Sequence, residues 1–409
     1  MNRVVVTGVG AITPVGNDVP TFWQNLLAGK CGIDFITKFD TSDCKVTIAA
    51  EVKDFDPAAY MEKSEIRKTD LYAQYAIAAA TQAMDDSCLL GKVEPERLGV
   101  YIGSGIGGMA TMIRECGKLF ESGPKRISPF YIPMMISNIA AGNVAIKFNA
   151  QGPSMSVVTA CATSANSLGE AYRAIKHGYA DAMIAGGSEA TINPLAVGGF
   201  TNLTALSTTN DPSCASIPFD KRRDGFVMGE GGAVLILEEY EHAKQRGAKI
   251  YGEICGYGNT NDAYHMTAPQ PDALGATNAV KLAVKEAGIP TDAKLYINAH
   301  GTSTTLNDKC ETLAFKQALG AQAYSALVSS TKSMTGHMFG ATGAAEAIVC
   351  LLALQNGIVP PTIGYKEPDP ECDLDYVPNV ARKAKLDFAL STNLGFGGHN
   401  ACLAFKRAD

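Results

Sequence analysis

The sequence predicts an α/β protein built from two related halves. Apolar runs that end in glycine or small polar residues alternate with helix-like segments along the chain. They form two sets of four, at 4–8, 100–103, 156–160 and 183–186, and again at 253–256, 295–299, 327–330 and 388–392. A helix-like segment rich in small residues separates the third and fourth runs of each set, at 164–177 and 343–355. The repeated order indicates two halves, 1–250 and 251–409, joined near 239–250.

The second run leads into a glycine-rich segment that invites a different interpretation. Residues 103–108 read Gly-Ser-Gly-Ile-Gly-Gly and fit the G-x-G-x-x-G pattern of dinucleotide-binding proteins. That pattern also needs a second strand that ends in an acidic residue ~20 positions later. Residues 123–129 read Gly-Pro-Lys-Arg-Ile-Ser-Pro instead. The sequence therefore does not predict a nucleotide cofactor.

The third run predicts a nucleophile. Cys161 lies among small residues where β-branched residues give way to a helix-like segment. The first turn of a helix has unpaired N–H groups and a positive dipole end, which favour a thiolate over a thiol. A lone cysteine in a chain with eleven is more often a buried structural residue, so other segments must decide. We expect Cys161 at a strand-to-helix elbow with a raised thiolate fraction.

The histidines supply that context. Three of the six lie in glycine-rich segments that each follow an apolar run, namely His300, His337 and His399. Glycine around histidine suits loops at strand ends, where a backbone approaches a ligand closely. The other three are interpreted as surface or core residues: His177, His242 and His265. One cysteine at an elbow plus separate histidine loops is typical of covalent catalysis through a thioester.

A second competing motif lies just before His337. Residues 329–332 read Ser-Ser-Thr-Lys and fit the S-x-x-K pattern of penicillin-recognising enzymes. The chain contains neither S-D-N nor K-T-G, which complete that site. A serine hydrolase is therefore a weak interpretation.

Composition excludes several other classes of protein. The start of the chain lacks a signal-peptide pattern, and no apolar stretch approaches the ~20 residues of a membrane helix. Eleven cysteines without a C-x-x-C pair argue against a disulfide framework and against a zinc site. A net charge of −6 without a long basic run disfavours nucleic acid as a partner. We expect a cytoplasmic enzyme that uses no metal and binds no membrane.

Six motifs in this order resemble the condensing enzymes of the thiolase superfamily, and among them the elongating β-ketoacyl-acyl carrier protein synthases of type II. They are the opening segment 4–16, the elbow at 159–161, the segment 218–226, and the three histidine loops. The resemblance covers almost the whole chain. It implies a five-layered αβαβα thiolase-like fold made of two pseudo-symmetric halves. The nucleophile would lie in the first half and the catalytic histidines in the second.

The resemblance also implies an acyltransferase reaction without a cofactor. Cys161 would take an acyl group from acyl carrier protein, and malonyl-acyl carrier protein would then lose carbon dioxide to form an enolate. His300 and His337 would stabilise that enolate, and the N–H groups of Cys161 and Phe396 would hold the thioester oxygen. Attack of the enolate on acyl-Cys161 would give a β-ketoacyl chain two carbons longer.

Several supporting roles carry alternatives. Lys332 and Glu346 resemble the pair that orders the histidines, but a plain salt bridge fits them equally. Thr302 and Thr304 would bind the pantetheine arm, or only cap a turn. Phe396 would gate the acyl channel, which Phe200 and Ile106 would line; the last two fit a core equally well. Asn298, Glu346 and Asn393 would hold a monovalent cation if this chain follows some relatives.

Two surfaces are predicted to meet partners. Lys63, Arg67 and Lys68 form a basic patch that would receive the acidic helix of acyl carrier protein, although a solvated helix face is the simpler interpretation. The apolar segment 124–149 would lie in a homodimer interface. Two positions depart from relatives. Thr204 stands where some carry arginine that contacts the carrier protein, and His399 stands where threonine is common.

Two other functions share many of these residues. A ketosynthase of a polyketide or specialised lipid pathway would use the same catalytic motifs with a different channel. A non-catalytic subunit that sets chain length usually lacks the active cysteine, so the presence of Cys161 argues against it. Thiolases and type III synthases surround their cysteine with other partners.

Overall fold

A computed structural model describes residues 1–408, so Asp409, the last residue of the predicted second half, lies outside the described residues. The strands are β1 Val4–Ile12, β2 Asp34–Phe35, β3 Ile48–Ala49, β4 Leu98–Gly103, β5 Ser154–Met155, β6 Ala182–Glu189, β7 Gly231–Glu239, β8 Gly252–Asn261, β9 Leu295–Asn298, β10 Leu327–Ser329, β11 Ile358–Val359, β12 Arg382–Lys383, β13 Phe388–Gly395 and β14 His399–Lys406. The α-helices are α1 Val19–Leu27, α2 Lys63–Ile66, α3 Leu71–Ser87, α4 Met109–Ser122, α5 Tyr131–Met135, α6 Ile139–Phe148, α7 Thr163–Lys176, α8 Pro194–Asn202, α9 Tyr240–Gln245, α10 Leu274–Ala287, α11 Thr305–Leu319, α12 Lys332–Thr335 and α13 Thr342–Asn356.

The strands repeat one order in both halves of the chain. The first half runs β1-β7-β6-β4-β5 and the second runs β8-β14-β13-β9-β10, each from its first strand outward. The two first strands join the halves by antiparallel pairing of Val4–Val6 with Gly252–Ile254. The predicted pseudo-symmetry of the fold therefore appears directly in the order of the strands.

Helices cover both faces of each half. Alternate residues of a strand point to opposite faces: Met183 and Ala185 of β6 lie in the central core with α7 and α13, while Ala182 and Ile184 pack with α3. In the second half, Tyr296 of β9 joins the central core, whereas the strand's other face packs with α10 and α11. Helices α7 and α13 thus lie between the two halves. The resulting order of layers is α, β, α, β, α, which confirms the predicted five-layered fold.

The opening glycines let α3 approach β1 closely. A Cβ on Gly10 would lie 2.0 Å from the carbonyl oxygen of Ala79, and one on Gly8 would lie 2.1 Å from that of Ala83. Both positions face a helix that is rich in alanine, so backbone packs on backbone here. A larger residue at either glycine would push the helix off the sheet.

The sequence prediction missed two long strands and misplaced one short one. Strands β7 and β14 run antiparallel to their neighbours β6 and β13. Because these two strands run in the opposite direction, their carboxyl ends lie away from the predicted catalytic loops. They therefore lack the glycine-rich ends on which the sequence prediction relied. The run predicted at 156–160 is mostly irregular, because β5 ends at Met155 and a 3-10 turn begins at Ala160.

One segment is longer and more apolar than we expected. The helical stretch Phe339–Asn356 reaches 18 residues with a mean hydropathy of 1.2, which is enough to cross a membrane by length and composition alone. In the fold, 89% of this stretch is buried inside the protein. It ends in α13, the central helix of the core, and its apolar character follows from that position.

Candidate active site

A cavity of about 530 Å³ lies where loops from both halves meet. Eight residues predicted to act on substrate line it: Ile106, Cys161, Phe200, His300, Thr302, Thr304, His337 and Phe396. Lys332 and Glu346 are buried behind its wall, with 1% and 2% of their side chains exposed. The fold therefore brings together residues that are separated by almost three hundred positions in the sequence.

Cys161 lies in a tight turn just before α7. The turn spans Ala160–Ala162, and Ala160 has a left-handed backbone with φ of 49°. Gly395 packs against this turn, since a Cβ there would lie 2.6 Å from the carbonyl oxygen of Thr159 and 3.2 Å from the Cys161 nitrogen. This close contact of two backbones places the following residue, Phe396, beside the sulfur.

Burial dominates the ionisation of Cys161. It raises the pKa of the thiol to about 12, against the opposing effects of Lys332 and of the N–H groups of Phe396 and Cys161. The buried carboxylate of Glu189 raises the pKa further. The expected rise in thiolate fraction is therefore wrong, because removing the sulfur from water outweighs the helix terminus. The raised pKa favours the thiol over the thiolate at Cys161.

The structure determines the tautomer of His337. Its Nδ1 accepts a hydrogen bond from the backbone N–H of Phe339 at 3.2 Å, and the hydroxyl of Thr342 lies 3.3 Å away. A backbone N–H can only donate, so the proton of the neutral ring is on Nε2. Burial and the charge of Lys332 lower the pKa of His337 well below its usual value. The ring is a neutral donor.

His300 stands beside His337 with its ring nearly perpendicular. The ring centroids are 5.3 Å apart and the planes meet at 85°. Burial, Lys332 and His337 lower the pKa of His300 well below its usual value, so this ring is neutral as well. Glu311 holds its backbone, accepting hydrogen bonds from the N–H of His300 at 2.6 Å and of Gly301 at 2.8 Å.

Cys161, His300 and His337 have ligand types that suit zinc, and their ligand atoms lie within 4.8 Å of one another. The surroundings of His337 do not suit a metal. A metal-bound histidine donates its second N–H to an acceptor, whereas Nδ1 of His337 accepts from Phe339. Nε2 therefore carries a proton where a metal would need a lone pair.

Lys332 and Glu346 form a buried ion pair next to the histidines. Nζ of Lys332 lies 2.5 Å from Oε1 of Glu346, and Asn393 donates to Oε2 at 2.7 Å. Burial raises the pKa of Glu346 to about 7, and Lys332 opposes that rise. The charge of Lys332 also lowers the pKa of both histidines.

Within residues 1–408, two buried asparagines have polar atoms without partners, and one of them, Asn393, contacts this pair. Among the described residues, neither polar atom of the Asn298 side chain forms a hydrogen bond, and Oδ1 of Asn393 also has none. Oxygen atoms of amides and carboxylates are ligands that hard cations take. The residues present therefore fit the monovalent cation of some relatives.

The threonines beside His300 do not cap a helix. Thr304 precedes α11 but makes no capping hydrogen bond with its side chain. Its hydroxyl lies 2.9 Å from that of Thr302, and both residues line the cavity. The turn-capping interpretation therefore fails for Thr304, and both threonines lie at the cavity wall.

The three residues predicted to form the acyl channel, Phe200, Ile106 and Phe396, are not fully buried. Phe200 contacts the rings of Phe226, Phe339 and Phe396, at centroid distances from 5.3 to 6.5 Å. Ile106 is 42% exposed and lines the cavity, so the core interpretation is wrong for it. Phe396 directly follows β13 and is half-buried.

The predicted partner surfaces lie outside the cavity. Lys63, Arg67 and Lys68 are all exposed, and no ion pair joins them to any of the residues 1–408 that the structure describes. Lys68 lies over the ring of Phe130, with Nζ 5.1 Å from the centroid. Thr204 is exposed at the cavity mouth.

The predicted interface segment 124–149 exposes large apolar side chains. Phe130, Ile132 and Ile146 are 40%, 55% and 81% exposed. Helix α4, just before this segment, has the reverse of the usual amphipathic arrangement. It buries the polar Thr111 and Glu115, while Phe120 on its outer side is 86% exposed. An apolar face turned toward solvent is typical of a surface that binds another protein.

Sequence reasoning missed two acidic residues of the site. Glu311 holds the His300 loop, and Glu189 lines the cavity at the end of β6. Glu189 accepts hydrogen bonds from the loops that contain Ile106 and Gly340. A signal was present for Glu189, because a carboxylate at the carboxyl end of an otherwise apolar strand is unusual. Glu311 is buried on α11, and the sequence of this helix shows no hydrophobic periodicity that would predict an inward-facing position there.

Comparison with known proteins identifies the family. The family described as "Beta-ketoacyl synthase, N-terminal domain" matches residues 1–243, and "Beta-ketoacyl synthase, C-terminal domain" matches residues 251–366. Proteins named 3-oxoacyl-[acyl-carrier-protein] synthase 2 from Synechocystis sp. and from Coxiella burnetii are each 52% identical over 407 residues, covering 99% of this chain and 98% of theirs. The Staphylococcus aureus protein of the same name is 50% identical over 406 residues, with the same coverage.

Solved structures of similar fold support the same family. A beta-ketoacyl synthase from Burkholderia phymatum has a TM-score of 0.93 at 35% identity, and each chain is covered completely. A type II polyketide ketosynthase solved with its acyl carrier protein has a TM-score of 0.92 at 36% identity, again over both whole chains. Family matches, relatives and fold agree along nearly the whole length, and so this chain belongs to the beta-ketoacyl synthase family.

Proposed function

We propose that this chain catalyses the decarboxylative condensation of malonyl-acyl carrier protein with an acyl group held on Cys161, which elongates fatty acids by two carbons. The observation that carries the proposal is the meeting of one thiol and two neutral imidazoles in a single cavity. Relatives that are 50% and 52% identical over nearly the whole chain carry the name of that activity.

In the first step the Cys161 thiol attacks the thioester of acyl carrier protein. Because its pKa is raised, the thiol proton must leave as the carbon–sulfur bond forms. The pantetheine sulfur is the leaving group, and it takes up one proton. The N–H groups of Cys161 and Phe396 act on the cysteine sulfur, so they are in reach of the oxygen of a thioester formed there.

In the second step the malonyl group loses carbon dioxide. The electron pair of the broken bond moves onto the thioester oxygen as an enolate, which needs donors rather than bases. His337 offers an N–H at Nε2 because its Nδ1 is engaged, and His300 offers the single N–H of a neutral ring. The enolate carbon attacks the acyl-Cys161 carbonyl, and the cysteine sulfur leaves as a thiolate. It then takes one proton from water, which replaces the proton that left with the pantetheine thiol in the first step.

We assign supporting roles to the residues behind and beside the cavity. The ammonium group of Lys332 favours neutral rings at both histidines, and Glu346 fixes its position. Thr302 and Thr304 bind the pantetheine arm through their paired hydroxyls. Phe200, Phe396 and Ile106 line the acyl channel.

The proposal includes partners and a location. Lys63, Arg67 and Lys68 bind acyl carrier protein, whose charge complements this patch. Two copies of the chain form a homodimer through the apolar surface around α4 and the segment 124–149. The half 1–250 carries the nucleophile and the half 251–409 carries the histidines. The enzyme works in the cytoplasm, without a membrane or nucleic acid as partner.

A polyketide ketosynthase is the second candidate. Its support is the likeness at 36% identity to a ketosynthase with a bound hexaketide. The relatives with the fatty acid synthase name are more similar, at 50% and 52%. A non-catalytic subunit lacks support, because Cys161, His300, His337 and Lys332 are all present and meet in or beside one cavity.

The mass of the intact protein tests the proposal. We expect wild type to gain one acyl group from a medium-chain acyl-acyl carrier protein, and to lose it as a β-ketoacyl product two carbons longer appears when malonyl-acyl carrier protein is added. Cys161→Ala must stay unmodified, and Cys88→Ser, at an exposed thiol, must behave as wild type. Absence of acylation from any donor would overturn the proposal, while acylation without extension would favour the second candidate.

A further inference from the structure

Glu189 is a buried carboxylate in the cavity wall that no step above uses. It ends β6, is completely buried, and has no ion-pair partner among residues 1–408. All of its hydrogen bonds come from neutral groups. An unpaired buried charge is costly, so a fold keeps it only where several donors converge on it.

The donors come from two separate loops. Oε1 accepts from the hydroxyl of Ser104 at 2.8 Å and from the N–H of Ile106 at 3.2 Å. Oε2 accepts from the N–H of Gly105 at 2.8 Å and from that of Gly340 at 3.1 Å. One loop thus contains Ile106 of the acyl channel, and the other begins three residues after His337.

The contact between the loops leaves no free space. A Cβ on Gly340 would lie 2.6 Å from the Gly105 nitrogen and 2.9 Å from Oε2 of Glu189. A Cβ on Gly105 would lie 2.7 Å from the same oxygen. A shift of the Ile106 loop therefore moves the carboxylate, and the carboxylate in turn pulls on the backbone next to His337.

We propose that Glu189 is a positioning residue that links the acyl channel to the His337 loop, so that the length of the acyl chain affects how well the enolate is stabilised. A chain that fits beside Ile106 leaves both loops in place and His337 Nε2 aimed at the enolate. A chain that displaces Ile106 moves Gly340 through the shared carboxylate. The inference rests on the proposed condensation.

Glu189→Gln tests the link with almost no change of shape. An amide nitrogen cannot accept, so a glutamine with its nitrogen at the Oε2 position leaves the N–H groups of Gly105 and Gly340 without a partner. In the other orientation the N–H of Ile106 loses its acceptor, while the Ser104 hydroxyl can turn to accept from the amide. We expect acylation of Cys161 by a short chain to stay within about threefold of wild type. Extension of the acylated enzyme should fall about tenfold or more, and the loss should change with chain length.

Glu189→Asp separates geometry from charge. The shorter side chain keeps the negative charge but cannot reach both loops. If the link depends on geometry, the extension rate of Glu189→Asp should fall as it does in Glu189→Gln. A wild-type extension rate in Glu189→Asp would overturn the proposed link. Ser104→Ala, which removes one donor and leaves the carboxylate, should show the same pattern more weakly, and it serves if the glutamine variant fails to fold.

Glu238→Gln is the matched control. Glu238 is also completely buried, but it binds Arg246, His242 and Thr7 away from the cavity. We expect this variant to lose stability without changing the dependence of extension on chain length. Equal loss of acylation and extension at all chain lengths in Glu189→Gln would mean a merely structural role. Failure of wild type to extend any chain would instead contradict the proposed function.

Discussion

Nζ of Lys332 lies 2.5 Å from Oε1 of Glu346, and both side chains are almost completely buried. The pair joins the short helix α12 to the central helix α13, on either side of the His337 loop. The ammonium group of Lys332 lowers the pKa of both His300 and His337. We therefore expect this ion pair to affect both stability and catalysis, and the two effects can be separated.

Lys332→Met should destabilise the protein strongly. Loss of the ammonium leaves Glu346 buried without its cation, which costs about 3–5 kcal/mol in the free energy of unfolding. The double variant Lys332→Met/Glu346→Leu removes both charges and should recover most of that loss in a denaturant titration. Its condensation rate should remain low, because the charge beside the histidines is gone. Recovery of activity together with stability would contradict a catalytic role for Lys332.

Alkylation of Cys161 should increase with pH without reaching a plateau. The folded pKa of about 12 lies far above neutrality, so the thiolate fraction rises about tenfold for each pH unit from 7 to 9. Peptide-resolved mass spectrometry after brief exposure to iodoacetamide measures the rate at this residue. A rate that levels off near pH 7 or 8 would mean that the helix terminus prevails over burial.

Removing Glu189 should speed that alkylation. The carboxylate raises the pKa of Cys161, so Glu189→Gln should increase the thiolate fraction at a given pH. The alkylation rate at pH 8 should therefore rise even though condensation falls. An unchanged or slower rate would indicate that the charge of Glu189 does not reach the sulfur.

His337→Ala should separate the two partial reactions. The substitution removes an enolate donor and should lower extension by about 10²–10³-fold. In the proposed mechanism acylation of Cys161 depends on the N–H groups of Cys161 and Phe396 and not on His337, so we expect it to persist. In wild type, nitrogen NMR should find His337 neutral with its proton on Nε2 from pH 6 to 9, because its pKa lies well below 6.5. Titration within that range would contradict the assignment.

Arg67→Glu should weaken the use of carrier-bound substrates. Reversing one exposed charge of the basic patch should raise the KM for acyl-acyl carrier protein about tenfold at low salt, and less at high salt. Lys285→Glu, an exposed lysine on α10, makes the same change of net charge elsewhere and should have little effect. A short pantetheine thioester should be used equally by both variants. If Arg67→Glu and Lys285→Glu have equal KM values for the carrier-bound substrate, the basic patch is only a solvated helix face and does not bind the carrier protein.

The sequence by itself determined the identity and order of the reactive groups. Cys161, His300, His337 and Phe396 follow apolar runs, and loops at the carboxyl ends of strands converge in an α/β fold, so their meeting in one cavity was predictable. The central helices were predictable for a similar local reason, since 164–177 and 343–355 differ from α7 and α13 by one residue at each end.

Tertiary structure alone decided how these groups ionise and which others support them. The pKa of Cys161 follows from burial, and the tautomer of His337 follows from the direction of the Phe339 N–H. Glu189 acquires its role only when loops from distant parts of the chain meet at its carboxylate. Desolvation and hydrogen-bond direction depend on what packs around a group in space, and for these residues those neighbours come from other segments of the chain.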